Sequence, residues 1–180
     1  MKACSLPVWV LVCVPGIAFG VWMGTTVPSV DYNQFYSASE LVGTTHSYEW
    51  PALKSLESPR TVPIPTARLP IVLFAHKLLS WMPFRVARDT WFTLSVLAFF
   101  AAGWLWRGLP RRVAFAAACW STPIACTLAF GQDVAWWLFA FAAGLVFLVK
   151  KWDVIAGIAF SLCIVKFHLA VGIPILLLPL

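Results

Sequence analysis

Ala129-Phe130-Gly131-Gln132-Asp133, an apolar run to Val149, Lys150-Lys151-Trp152-Asp153, a second apolar run broken by Lys166-Phe167-His168, and Ile173-Pro174-Ile175-Leu176-Leu177-Leu178-Pro179 decide the reading of this chain. A polar Gly-Gln-Asp turn and a lone lysine sit against hydrophobic sequence of membrane length. Charged groups at that depth are costly and commonly mark a functional pathway. From Val154 to Val165 is only about 18 Å of helix, against a hydrocarbon core of about 30 Å. Lys166 therefore falls near or beyond mid-depth, toward the outer leaflet, and a break at 166–168 is expected to divide the last span, 154–180, into two short helices. Such a break is tolerated where protein or a watery cavity surrounds it.

Working outward, the composition points the same way. The chain is 61% hydrophobic and 11% charged, which argues against an ordinary soluble domain. It holds 11 tryptophans, and Trp22, Trp81, Trp91, Trp104, Trp106, Trp136, Trp137 and Trp152 flank apolar runs, as rings seated at membrane–water interfaces do. The net charge of +6 is not a nucleic-acid footprint, because the basic residues cluster at the ends of apolar runs instead of forming a stripe. Cys4, Cys13, Cys119, Cys126 and Cys163 lie in or beside apolar sequence, have no metal-ligand spacing, and read as small buried apolar residues.

The expected fold is an all-α polytopic membrane protein forming a single transmembrane domain. Spans are read at 6–27, 90–106, 113–130, 134–149 and 154–180, with a polar outer loop at 28–69. No small-x-small cleavage site follows the first run, so it is read as an uncleaved helix. Lysine and arginine accumulate in short cytoplasmic loops. Placing Lys2, Arg107, Arg111, Arg112, Lys150 and Lys151 inside puts 28–69 and Gly131–Asp133 outside. That count works only if 66–83, interrupted by His76-Lys77, is a juxtamembrane or re-entrant helix on the outer side. The uncapped apolar end at Leu180 is read as the cut edge of a longer chain.

Several residues could carry chemistry. Asp31, in Val30-Asp31-Tyr32-Asn33-Gln34-Phe35-Tyr36, could serve as a general base at the outer surface. It could equally be a helix N-cap opening an amphipathic pattern through Phe35, Ala38, Leu41 and Val42. Gly131-Gln132-Asp133 reads as a tight loop in which Asp133 could cap the next helix. Lys166 could snorkel to the interface, or, with His168, present cationic donors to a phosphate. Arg60 and Arg68, in the outer loop, could join them or stay solvated. No metal cluster is visible; Asp31 and Asp133 could share a divalent cation, but nothing in the sequence demands it.

These features together resemble glycosyltransferase family 87, polyprenyl-phosphate-mannose-type enzymes of the GT-C fold. Asp31-Tyr32-x-x-Phe35-Tyr36 is similar to the acidic–aromatic motif of the family's first outer loop. Val62-Pro63-Ile64-Pro65 with Leu78-Leu79-Ser80-Trp81-Met82-Pro83-Phe84 resembles its proline-rich stretch and continuation. Gly131-Gln132 matches its Gly-Gln turn. Ala156-Gly157-Ile158-Ala159 through Lys166 and Leu176-Leu177-Leu178-Pro179 are similar to its later run. Asp133 stands where asparagine is common, Phe167 where proline is common, and the proline-rich stretch lacks its usual tyrosine.

The resemblance implies the N-terminal part of a GT-C helical bundle in a bacterial plasma membrane. It implies transfer of a hexose, mannose or a relative, from a polyprenyl-phosphate donor to a lipid or glycan acceptor on the extracytoplasmic side, with inversion. Asp31 would be the base, Lys166 and His168 would hold the lipid phosphate, Arg60 and Arg68 would assist, and Gln132 and Asp133 would line the sugar pocket. The competing reading is a non-enzymatic polytopic protein, either half a transporter or an envelope-complex scaffold, since broken helices and a mid-membrane lysine suit a transporter too.

Overall fold

The computed structural model describes residues 6–26, 29–46, 48–65, 70–106, 110, 113, 116, 119–120 and 122–163. Lys2, Arg68, Arg107, Arg111, Arg112, Lys166 and His168 lie outside the described residues, as does the expected break at 166–168. Every regular element among the described residues is helical: α1 Leu6–Thr26, α2 Val30–Glu40, α3 Trp50–Glu57, α4 Pro70–Lys77, a 3₁₀ turn Leu79–Trp81, α5 Phe84–Leu105, α6 Thr122–Phe130, α7 Val134–Val149 and α8 Asp153–Leu162.

Two groups of helices form. In the first, α5, α7 and α8 pack in series and α1 packs on α6. Small residues set the close seams. Ala98 and Phe99 of α5 meet Ala135 of α7, with Trp136, Leu138 and Phe139 around them. Gly144 of α7 lies under the Phe160 ring of α8. On α1, a Cβ at Gly16 would stand 2.5 Å from the Cys119 carbonyl oxygen, and one at Gly20 would stand 3.1 Å from Leu128 Cδ1. Small residues at such positions let backbones approach closely.

The second group is built on the described residues of the polar stretch, 29–46 and 48–65, which carry helices where a connecting loop was expected. It folds as α2 and α3 and gathers α4 and the 3₁₀ turn around α2. Phe35 and Ala38 are buried, and Leu41 and Val42 pack with Ala38, Leu53 and Leu73, as the amphipathic pattern predicted. The opposite face is buried as well: Tyr32 to Ser39 are all shielded. Burial of polar groups requires partners, and distant segments supply them. Asn33 Nδ2 donates to the Glu57 carbonyl at 3.1 Å and to Thr61 Oγ1 at 2.9 Å. Gln34 donates to the Pro65 carbonyl, and Tyr36 Oη donates to the Met82 carbonyl at 2.6 Å.

The helix start differs from the sequence expectation. The N-cap position is Ser29, and Asp31 sits inside the first turn. There it faces the positive end of the helix dipole instead of capping it. Within 66–83, the helical residues are Pro70–Lys77 and Leu79–Trp81. α4 turns Val72, Leu73 and His76 inward and leaves Ile71, Phe74 and Leu78 exposed on the other side. α7 occupies the expected 134–149. α5 starts ahead of the expected 90 because Pro83 sets its N-terminus, which brings Arg85, Arg88 and Asp89 into the helix.

Among residues with described side chains, no helix is long and apolar enough to cross a membrane. α5 has the length but carries those three charges, and α7 is apolar but has 16 residues. α1 has 21 residues.

Candidate active site at the Gly131–Asp133 turn

The end of α6 and the start of α7 are joined by three residues. Gly131 adopts φ +71°, the left-handed conformation that glycine takes without Cβ strain. The Gln132 N–H returns to the Thr127 carbonyl at 2.9 Å, closing α6 in a Schellman motif. Asp133 occupies the N-cap position of α7, as expected, but its side chain makes no capping hydrogen bond. Its backbone carbonyl accepts the Trp136 and Trp137 N–H groups at 3.1 and 3.4 Å. The carboxylate is 1% exposed.

The start of α2 lies directly on this turn. A Cβ at Gly131 would fall 2.5 Å from Tyr32 Cβ, so the turn has room for glycine alone while Tyr32 is seated. Asp31, partly exposed, is the residue just before Tyr32. The structure therefore brings the neighbourhoods of Asp31, Gln132 and Asp133 together from segments a hundred residues apart.

Aromatic rings hold that junction. Tyr32 stacks on Trp91 at 6.2 Å between ring centroids, and Trp91 stacks on Trp136 at 5.6 Å. The His76 ring is 4.3 Å from Trp91, 5.1 Å from Phe35 and 6.0 Å from Tyr32. Trp91 Nε1 donates to the Gly131 carbonyl at 3.0 Å, tying α5 to the turn. The column thus links α2, α4, α5 and α7. Burial, reinforced by the neighbouring Tyr36 phenol, pushes the Tyr32 phenol well above its ordinary range, so it stays protonated and can only donate or accept neutrally. Tyr32 Oη, Trp136 Nε1 and Trp137 Nε1 are buried without hydrogen-bond partners among the described residues.

Arg60 stands at the far end of the column. It pairs with Glu40 through contacts of 3.2 Å, donates to Ser37 Oγ at 2.9 Å, and lies over the Tyr36 and Phe84 rings at 4.8 and 5.2 Å. A phosphate approaching this guanidinium would compete with the Glu40 carboxylate for its Nη1 and Nη2 donors.

Sequence reasoning passed over four residues of the junction. His76 looked like an interruption of a span, and it is in fact a buried ring at the centre. Trp91 and Trp136 looked like interface anchors. Tyr32 was visible only as part of a motif. The ring spacing that unites them is tertiary and leaves no trace in local pattern.

Glu57 was also missed. It is fully buried, with one carboxylate oxygen accepting the Ile64 N–H at 2.7 Å and the other without a partner among the described residues. Burial raises its carboxyl above the ordinary 4.5, against the smaller lowering effects of the Ile64 N–H and Arg60. Ionisation then costs more in the folded chain than in the unfolded one, so stability is lost as pH rises from about 4.5 through the raised folded value. Glu57→Gln should remove that loss. Its unfolding midpoint relative to wild type should climb as pH rises from about 4.5 through the raised folded value and then level, as followed by thermal unfolding in detergent. A difference independent of pH would refute the assignment.

Among the described residues, no group of three or more His, Cys, Asp or Glu side chains gathers to hold a metal ion. The family model described as glycosyltransferase family 87 matches residues 65–179, and the chain belongs to that family. Gln132, Asp133, Arg68, Lys166 and His168 fall within the matched residues, whereas Asp31 and Arg60 precede them. Comparison with curated proteins and with solved structures gives no match.

Proposed function

We propose that the protein is an integral membrane hexosyltransferase that moves mannose or a related hexose from a polyprenyl-phosphate carrier to an acceptor on the extracytoplasmic face of a bacterial plasma membrane. The observation that carries this reading, beside family membership, is the seating of the α2 start on the Gly131–Asp133 turn. Asp31 takes the proton from the acceptor hydroxyl as its oxygen attacks the anomeric carbon. The bond from that carbon to the carrier phosphate breaks on the opposite side, and the configuration inverts. Lys166 and His168 offset the charge of the departing phosphate, the kind of electrostatic stabilisation that often dominates catalysis. Gln132 and Asp133 hold sugar hydroxyls.

Two features support a membrane setting. α1 has 21 residues of strongly apolar sequence, about 31 Å of helix, enough for a hydrocarbon core of about 30 Å. Ile71, Phe74, Leu78 and Trp81 are exposed along α4 and its 3₁₀ extension, an apolar face suited to lying in a membrane interface.

The test is turnover of radiolabelled polyprenyl-phosphate-mannose by the purified full-length protein, coupled with topology. Single cysteines at positions 47 and 132 in a cysteine-free background should react with an impermeant maleimide in intact cells, while one at 109 should not. Donor binding without any sugar release across a panel of acceptors would overturn the enzymatic reading. The reverse labelling pattern would place the site on the wrong side for this chemistry.

A further inference from the structure

α1 and the segment entering α6 meet at close range. Trp120 Nε1 donates to the Val12 carbonyl at 2.8 Å. One turn along α1, a Cβ on Gly16 would stand 2.5 Å from the Cys119 carbonyl oxygen and 3.0 Å from Cys119 Cβ. Between these two contacts lies Cys13, whose side chain is hydrogen-bonded to that of Cys119. Both thiols are free and only partly buried. Two cysteines far apart in sequence thus meet side chain to side chain where α1 and the segment entering α6 are in close contact.

We propose that Cys13 and Cys119 form a redox-modification site, closed to an intramolecular disulfide by exchange with an external disulfide. One thiolate attacks the external disulfide and releases one of its halves as a thiol, leaving a mixed disulfide on the protein. The second cysteine then attacks the protein sulfur of that mixed disulfide and releases the other half. The two protein thiols lose two electrons and two protons, and the external disulfide becomes two thiols. The bond staples α1 to the chain before α6. It also fixes one wall of an apolar crevice of about 50 Å³, lined by Gly16, Gly20, Phe99, Phe100, Cys119 and Leu128. This inference is independent of the sugar-transfer reading, because none of these residues belongs to the proposed active site.

The experiment uses the full chain with Cys4, Cys126 and Cys163 replaced by serine and a protease site inserted in the exposed turn at Gly43. The probe is dithiodipyridine, a small membrane-permeant disulfide, followed by maleimide block, cleavage and a non-reducing gel. Both thiols should be lost, and the two fragments should migrate together until reductant is added. Cys13→Ser and Cys119→Ser should each abolish the linkage. Peptide mapping of the otherwise unaltered protein after the same treatment should yield one cross-linked peptide pair containing Cys13 and Cys119. Fragments that separate with both thiols still titratable, or peptides carrying only separate probe adducts, would overturn the proposal.

Discussion

Gly131→Ala is expected to cost about 2–5 kcal/mol, from the strain of a side chain in the left-handed region and from overpacking. The added carbon would fall 2.5 Å from Tyr32 Cβ, an atom anchored to the α2 backbone that cannot swing aside like the end of a long side chain. Either α2 lifts from the turn or the Schellman closure of α6 opens. Gly157→Ala is the matched control. Gly157 lies inside α8 with open space around its would-be Cβ, and alanine there should stabilise by about 0.5–1 kcal/mol. Thermal unfolding of both variants in detergent makes the comparison. Equal midpoints would show that the contact between α2 and the turn does not hold.

Asp31→Asn should reduce sugar transfer by about 10²–10⁴-fold, the usual scale of a lost general base, while donor binding stays unchanged. Because Asp31 lies inside the first turn and Ser29 holds the cap position, asparagine forfeits no capping bond. The helix loses only a favourable charge near its N-terminus, worth about 0.3–1 kcal/mol. Stability and activity should therefore separate. Lys166→Met should show the converse pattern, with weakened donor binding. Turnover and donor affinity measured side by side decide the matter: an Asp31→Asn protein retaining more than about a tenth of wild-type turnover would remove Asp31 from the chemistry.

Much of the helical framework was legible because polar residues punctuate it. α7 ends where it was expected to because Asp133 and Lys150-Lys151 bracket an uninterrupted apolar run, and Gly131 was readable as the turn residue. The α2 start was placed two residues late, the usual uncertainty where Ser and Asp both suit a cap. The burial of α2 on all sides was not readable. Asn33, Gln34, Ser37 and Ser39 are polar, yet all are buried: Asn33 and Gln34 find partners at Glu57, Thr61 and Pro65 and Ser37 accepts from Arg60, all supplied by the fold, while Ser39 bonds the Tyr36 carbonyl one turn back. The same holds for His76, a break in hydropathy whose meaning depends on rings from α2 and α5. Local pattern reports which residues shun water; it does not report which polar residues will find each other.

The glycines of α1 carry a consequence for how copies of this chain could associate. Gly16 and Gly20, four residues apart, form the kind of smooth seam through which membrane helices often pair between chains. Here the seam is spent within the molecule, on Cys119 and Leu128. A second α1 could not come alongside it without prying α6 away. Self-association through the first helix would have to use its other flank, where Leu11, Val14 and Trp22 remain uncovered. There, large side chains keep two backbones farther apart than a glycine contact would.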